Sequence, residues 1–457
     1  MIWIKNFYFI QIVSGDVIKS KLPETTMNFI TTPSPLRIAV IGGGISGMGA
    51  AYQLSHFGKV TLYESEVRLG GHARTVFAGK RGDQPVDTGF IVFNKINYPH
   101  LMALFDELNV PICQSNMSFG ASVRGGEIEY GLRNFQSLFA QPRNLKNFNY
   151  LKMLMDILKF NKKAVALATD KSMTIRELLH KLGTGKWFRD YYLLPFSGAI
   201  WSTPKDKILD FPAHSMISFF ENHALLNRTG QHQWFTVKGG SIQYVDRLNR
   251  ELVERNVALR LGDPIKEVKR SPLGVQISSQ KSDFEYFDHV IFATHSDDTL
   301  KMLVDADQRE SKALDAIKYQ PNQAVLHHDE SVMPKSKNCW ASWVYTENKK
   351  RSVGPIGLTY WMNSLQPIPE ADPMFVTLNS KNKIDPYKIY DEVTFRHPVY
   401  DLPALEAQKD LAENNGQRNT WFCGAWMKNG FHEDGLASAI DVVDKFSDRI
   451  SVKIAAQ

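Results

Sequence analysis

Between Arg37 and Ser65 the chain passes from an apolar run into a glycine cluster, then through a helix-like segment into a second apolar run that stops at an acid. That order constrains the fold more than any other feature. Residues 38–41 are too few and too continuously apolar for an amphipathic helix, and they read as a parallel strand buried on both faces. The run leads straight into Gly42, Gly44 and Gly47. In a strand–turn–helix of this kind the first glycine permits the tight turn. The second lets a pyrophosphate approach the backbone, and the third lets the helix sit close to the sheet. The helix, from Ile45 and Ser46 to about residue 57, points its free N–H groups and positive dipole end at the phosphates. Residues 60–63 read as a second strand, followed by Glu64 and Ser65. Glu64 lies 22 positions after Gly42 (64 − 42), the distance at which a carboxylate holds a ribose hydroxyl. A glycine pattern alone is common, but strand, helix and acid together specify a dinucleotide site.

The following segment, Arg68-Leu69-Gly70-Gly71-His72-Ala73-Arg74-Thr75, resembles the second glycine motif of the flavin amine oxidase superfamily. That superfamily includes amine oxidases, phytoene-type desaturases and protoporphyrinogen oxidases. The resemblance implies FAD as the dinucleotide, with the backbone of Gly70 and Gly71 passing beside its pyrophosphate. His72 stands where the family usually carries Arg. Asp87-Thr88-Gly89-Phe90 sits where the family's chain returns to the flavin, and Ile265 resembles the residue whose backbone brackets the adenine. Near the C-terminus, Trp421-Phe422-Cys423-Gly424-Ala425 reads as a short strand ending in glycine. It leads to Gly430-Phe431-His432-Glu433-Asp434-Gly435-Leu436, the opening of an apolar-periodic helix (Leu436, Ala439, Ile440, Val443). The resemblance implies that this helix N-terminus, with Phe431 and His432, faces the flavin ring and can stabilise negative charge on it. Ala425 replaces the Asp or Glu that the family usually has after the strand's glycine. Five further phrases resemble one subgroup: Ala199-Ile200-Trp201-Ser202, Val237-Lys238-Gly239-Gly240-Ser241, Leu358-Thr359-Tyr360-Trp361-Met362-Asn363, Phe395-Arg396-His397-Pro398 and the 430–435 segment. That subgroup comprises flavin oxidoreductases fused to, or encoded beside, cyclopropane-fatty-acid synthases, and the similarity spans about residues 36–445.

The expected fold is α/β: a discontinuous Rossmann-like FAD-binding domain with an interleaved α+β substrate domain on a mixed sheet. The FAD-binding pieces are residues 36–95, 232–305 and 415–457; residues 96–231 and 306–414 build the substrate domain. Within the former, residues 242–256 read as a helix and 257–261, 275–278 and 289–293 as strands. The last of these ends at Thr294, where the carboxyl edge of a doubly wound sheet meets its cofactor. In the substrate domain, Thr174-Ile175-Arg176-Glu177 matches a capping box, and residues 340–345 and 357–361 read as strands. Aromatic residues alternating on those strands, Tyr360 and Trp361 among them, either wall an apolar cavity or fill a core.

Composition narrows the function. With 457 residues, 43% of them hydrophobic, the chain has ample material for a large core. Its 54 basic and 48 acidic residues are interspersed, which argues against nucleic acid. Three distant cysteines (Cys113, Cys339, Cys423) form neither a metal spacing nor a disulfide framework, and point to a reducing, cytoplasmic setting. The first 35 residues read as a poorly ordered extension; residues 1–13 are apolar but too short to span a bilayer. Residues 135–167 differ: apolar side chains interleave with Arg143, Lys146, Lys152, Lys159, Lys162 and Lys163, and Asp156 is the only acid. Such a segment either lies peripherally on an anionic membrane or covers the substrate domain with a solvated basic face.

His432 is the candidate for a residue beside the flavin, as hydrogen-bond partner or base, or as a mere guide of the helix start together with Glu433. No lysine is identifiable as the one many amine oxidases place beside the flavin. Three functions stay open: an FAD enzyme oxidising an apolar, acyl-lipid substrate; an amine oxidase releasing hydrogen peroxide; and a flavoprotein partner of a cyclopropane-synthase-like methyltransferase. No motif calls for a metal.

Overall fold

The five-stranded parallel sheet at the centre is assembled from segments far apart in sequence. Its order is Ala258–Leu261, Gly58–Glu64, Leu36–Ile41, His289–Phe292 and Thr420–Phe422. The computed structural model describes residues 35–201, 205–227, 230–348, 357–380 and 382–455. The expectations for residues 1–34 therefore lie outside the described residues. In the central strand Ile38, Ala39 and Val40 are fully buried, as a run without polar alternation requires. Ile38 and Val40 face one layer, and Ala39 and Ile41 the other. The first layer holds the helices Ile45–Leu54, Ile242–Glu254 and His432–Ala455. The second combines a three-stranded antiparallel sheet (Ile265–Ser271, Gly274–Ser279, Glu285–Phe287) with the helices Gln308–Ala316 and Leu402–Asn414. The first helix is shorter than expected, ending at Leu54.

A seven-stranded mixed sheet follows the order Ile389–Val399, Lys318–His327, Phe375–Leu378, Leu358–Trp361, Trp343–Thr346, Phe119–Val123, Ile128–Gly131. Only the pair Trp343–Thr346 with Phe119–Val123 is parallel. One face packs against the helices Phe148–Leu167, Ile175–Leu182, Leu194–Trp201 and Ala213–Asn222. The second of these begins with the expected capping box: the Thr174 side chain accepts from the Glu177 N–H, and Glu177 accepts from the Thr174 N–H. A smaller sheet (Phe93–Asn94, Trp234–Val237, Ile112–Ser115) pairs residues from before, within and after the long insertion. The described residues from Leu36 onward form one unit. The three cysteines are free, as expected, with Cys339 and Cys423 buried.

Candidate active site

The strand Leu36–Ile41 ends where the helix Ile45–Leu54 begins, and the turn between them is held in three ways. The Gly42 N–H donates to the Tyr63 carbonyl at 2.8 Å. A Cβ on Gly47 would stand 1.7 Å from the Gly42 carbonyl oxygen, so only glycine lets the helix lie this close. The carboxylate of Glu64 accepts from the Gly43 N–H at 2.6 Å and from the Glu66 N–H at 2.8 Å, while the Ser65 hydroxyl donates to it at 3.0 Å. The two glycine motifs are joined directly, because the Gly70 N–H donates to the Gly43 carbonyl at 2.8 Å and Gly44 and Gly70 form a parallel bridge. The segment Asp87–Phe90 is tied alongside: the Phe90 N–H donates to the His72 carbonyl, and the Thr88 N–H to the Arg74 carbonyl, both at 2.9 Å. Buried Asp87 anchors it, accepting from the Ser241 N–H and hydroxyl, the Thr75 hydroxyl and the Gln366 amide. Burial raises its pKa to about 6 in spite of those bonds.

A cavity of about 810 Å³ runs from this turn to the mixed sheet. At the turn its wall is Gly42, Gly44, Ile45, Ser46, Glu64, Gly70, Gly71 and His72, continued by Thr88, Gly89, Phe90 and Thr294. Gly424, Ala425, Phe431 and His432 close it from the C-terminal side. Five expected residues lie outside the lining. Gly47 is buried against the turn, and Ser65 is exposed and spent on Glu64. Arg68 donates to the carbonyls of Leu69, Gly71 and Ala73 and pairs with Glu66, so it braces the second glycine loop from behind. Ile265 pairs with Ser279 at the start of its strand and packs into the layer on the far side of the sheet. Trp361 points away because strand side chains alternate: Tyr360 lines the cavity, whereas Trp361 stacks edge-on against Trp340 in a separate cluster.

His432 meets the Tyr244 hydroxyl through Nε2 at 2.7 Å and stacks on Phe90 with ring centroids 3.9 Å apart. Burial, reinforced by His72, holds its pKa down to about 3. A general base works best with a pKa near the operating pH, so this neutral, already bonded imidazole is poorly matched to that role. Glu433 instead accepts from the N–H groups of His100 and Leu101, each at 2.9 Å, and caps the helix Pro99–Glu107. Glu433 thus serves the start of a neighbouring helix rather than the entry of its own.

Three further imidazoles gather on the wall. His72 stacks on Phe395 at 4.9 Å and lies 5.8 Å from His295 and 5.6 Å from His397, between ring centroids. Burial dominates in each case, holding His72 to about 4 and His295 and His397 to about 3. His397 stands in the Phe395-Arg396-His397-Pro398 phrase and His295 directly follows Thr294, but their convergence on His72 needs strand pairing that sequence does not show. Beside them Arg396 bonds both Asp297 and Asp298. His295, Asp297 and Asp298 could otherwise gather around a cation, but the guanidinium already neutralises the two acids.

The far end of the cavity is aromatic. Trp343 and Tyr360 pair across neighbouring strands with centroids 5.6 Å apart, and Phe119, Tyr192, Phe196, Trp201 and Phe219 complete the wall. Among the described residues no lysine lines the cavity. Phe196 and Trp201 were missed because residues 194–201 are apolar but for Ser197 and show no face by periodicity. As a seat for FAD the turn fits: bare backbone at Gly44 and Gly71 borders the cavity, a helix N-terminus points at it, and Glu64 is held at its edge.

Residues 45–364 match the family described as flavin containing amine oxidoreductase. Over 53 residues, 11% of the chain, the sequence is 42% identical to L-amino-acid oxidases of Bothrops jararacussu and Bothrops pictus; the chain spans 11% of the length of those relatives. Among solved structures, a CLA-producing fatty acid isomerase from P. acnes superposes with a TM-score of 0.63 at 16% identity, covering 90% of this chain and 98% of that one. Putrescine oxidase superposes at 0.64 and 14% identity (92% and 99% covered), and UDP-galactopyranose mutase at 0.65 and 15% (90% and 94%). At these identities the likeness is one of fold.

Proposed function

The chain belongs to the flavin containing amine oxidoreductase family and is an FAD-dependent oxidoreductase; from that premise we propose that it oxidises an apolar, fatty-acyl lipid substrate by hydride transfer to the flavin. Bound FAD would supply the hydride acceptor. Residues 36–95, 232–305 and 415–457 form the cofactor-binding part of this reading, and residues 96–231 and 306–414 the substrate part. Gly44, Gly71 and the first turn of the helix Ile45–Leu54 would receive the pyrophosphate, and Glu64 a ribose hydroxyl. Phe90, stacked on His432, and the imidazoles of His72, His295 and His397 would enclose the site without adding charge at neutral pH.

The observation that carries the substrate class is the aromatic far end of the cavity; among the described residues no lysine lines it, and the half-buried Arg396 is already paired with Asp297 and Asp298. One protein of this fold is a fatty acid isomerase and another oxidises putrescine, so the fold leaves the substrate open and the lining has to decide. At the aromatic end an ammonium substrate would meet ring faces but, among the described residues, no free carboxylate to replace its hydration. A cytoplasmic location and a cyclopropane-synthase-like methyltransferase partner belong to the same reading. Among the described residues no helix is long and apolar enough to cross a membrane.

The test is anaerobic reduction of the purified, FAD-loaded protein, followed by visible absorbance. Bleaching by unsaturated or cyclopropane phospholipids, with none by a panel of amines, is the expected result. Release of hydrogen peroxide and ammonia from amines would overturn the reading in favour of an amine oxidase. Tight association with the methyltransferase and no reduction by lipid would make the protein a binding partner instead.

A further inference from the structure

The helix Phe148–Leu167 is apolar on two opposite sides. Tyr150, Met153, Phe160 and Ala164 are buried against the mixed sheet's helical layer. At 100° per residue, Phe148, Leu151, Met155, Leu158 and Val165 fall on the reverse side, and all five are exposed, Phe148 by 78% and Met155 by 70%. A second apolar stripe facing water has no role in holding the helix down, and soluble surfaces seldom gather one this large. Phe135 and Leu145, also exposed, extend it toward the preceding strand.

Between residues 131 and 169 the exposed charge has one sign. Arg133, Arg143, Lys146, Lys152, Lys162 and Lys163 are exposed, and Lys159 is half-buried. The sole acid between residues 131 and 169 is Asp156, which is buried and accepts from the Gly185 N–H at 2.8 Å and from Lys152 at 3.4 Å. In the segment just before the stripe, Leu132 and Arg133 are both exposed and both line the cavity.

We propose that this surface docks on an anionic lipid bilayer, apolar stripe inserted and cations at the headgroups, and presents the cavity mouth at Leu132–Arg133 to acyl chains. Charge complementarity selects the partner: an apolar stripe interspersed with, and flanked on one side by, cations matches an interface that is apolar within and anionic at its face. Delivery of acyl chains rests on the substrate class argued above; docking itself rests only on the surface.

The test is flotation of the full-length protein with vesicles of phosphatidylcholine alone or with added phosphatidylglycerol. The expected result is binding to the anionic vesicles that weakens in high salt. Each cation contributes roughly fivefold in partitioning, so the triple variant K146A/K162A/K163A should bind roughly 100-fold less. F148S/M155S should lose binding through the apolar stripe. All five side chains are exposed, so melting temperatures should match the wild type, which keeps folding out of the comparison. No flotation of the wild type, or flotation of both variants equal to that of the wild type, overturns the proposal. So does a wild-type dimer that F148S/M155S converts to monomer, since a second copy would then be the occupant. Flotation without reduction of the flavin by lipid would sink the substrate reading and keep the docking. Turnover of detergent-dispersed lipid without flotation would do the reverse.

Discussion

Gly44 separates what the folded chain needs from what its ligand needs. Its backbone is extended (φ −75°, ψ −177°), a conformation open to any residue. A Cβ there would find Gly71 Cα at 4.0 Å as its nearest neighbour, an ordinary contact. The protein alone therefore has little use for glycine at this position. In G44A the less favourable helix N-cap costs about 0.5–1 kcal/mol. Reduced freedom of the unfolded chain returns about 0.4–1 kcal/mol, and melting should hardly change. A pyrophosphate resting on the bare backbone would meet the new methyl and be displaced. Losing one or two charge-assisted hydrogen bonds, at about 1.5–3 kcal/mol each, weakens binding by about 2–4 kcal/mol, or roughly 30- to 1000-fold in Kd. The assay is quenching of flavin fluorescence on titrating apoprotein with FAD, alongside the melting temperature of the apoprotein. G47A is the control in the opposite sense: its Cβ would lie 1.7 Å from a backbone oxygen, so folding itself should suffer. If G44A binds FAD as tightly as wild type, the pyrophosphate does not lie where the reasoning places it.

Three other expectations follow from the same geometry. Replacing Asp87 by Asn sets an amide against the donors of Thr75, Ser241 and Gln366, so urea unfolding should show a loss of about 2–4 kcal/mol. In apoprotein the folded-state pKa values of His72, His295, His397 and His432 lie at about 3 to 4, below the usual histidine value of 6.5. Their stabilisation is therefore present above pH 6.5 and lost as pH falls toward 4; each adds up to about 1.4 kcal/mol per pH unit to the slope. Melting temperature against pH checks this, and single His→Phe variants should flatten the curve. Tyr360→Ala should lower kcat/KM for the apolar substrate by roughly tenfold or more with modest loss of stability. Trp361→Ala, half-buried on the other face, should cost about 2–3 kcal/mol in denaturant melts and leave KM nearly unchanged.

What could be read from the sequence was whatever local spacing encodes. The turn from Gly42 to Gly47, the distance to Glu64 and the two strands around it need only neighbours in the chain, and the fold obeys them. Arg68 shows the limit: proximity in sequence to the glycine pair does not say which way a long side chain turns, and this one turns to carbonyls behind the loop. Ile265 was placed by resemblance alone, for its backbone; its side chain packs into the layer behind the sheet. The meeting of His72, His295 and His397 depends on a strand at 389–399 arriving beside the second glycine loop, and residues separated by three hundred positions leave no local trace of that encounter. Segment 135–167 announced its composition, but which of its two apolar sides was covered required the packing.

The central sheet has a consequence for how the protein is made. Its last strand, Thr420–Phe422, pairs with His289–Phe292, which in turn pairs with Leu36–Ile41. A nascent chain therefore carries its first apolar strand, destined for full burial, through most of translation before the partner on that side emerges from the ribosome. Such distant pairing folds slowly and leaves sticky intermediates exposed, so soluble yield in a recombinant host should rise at lower temperature and with added chaperones.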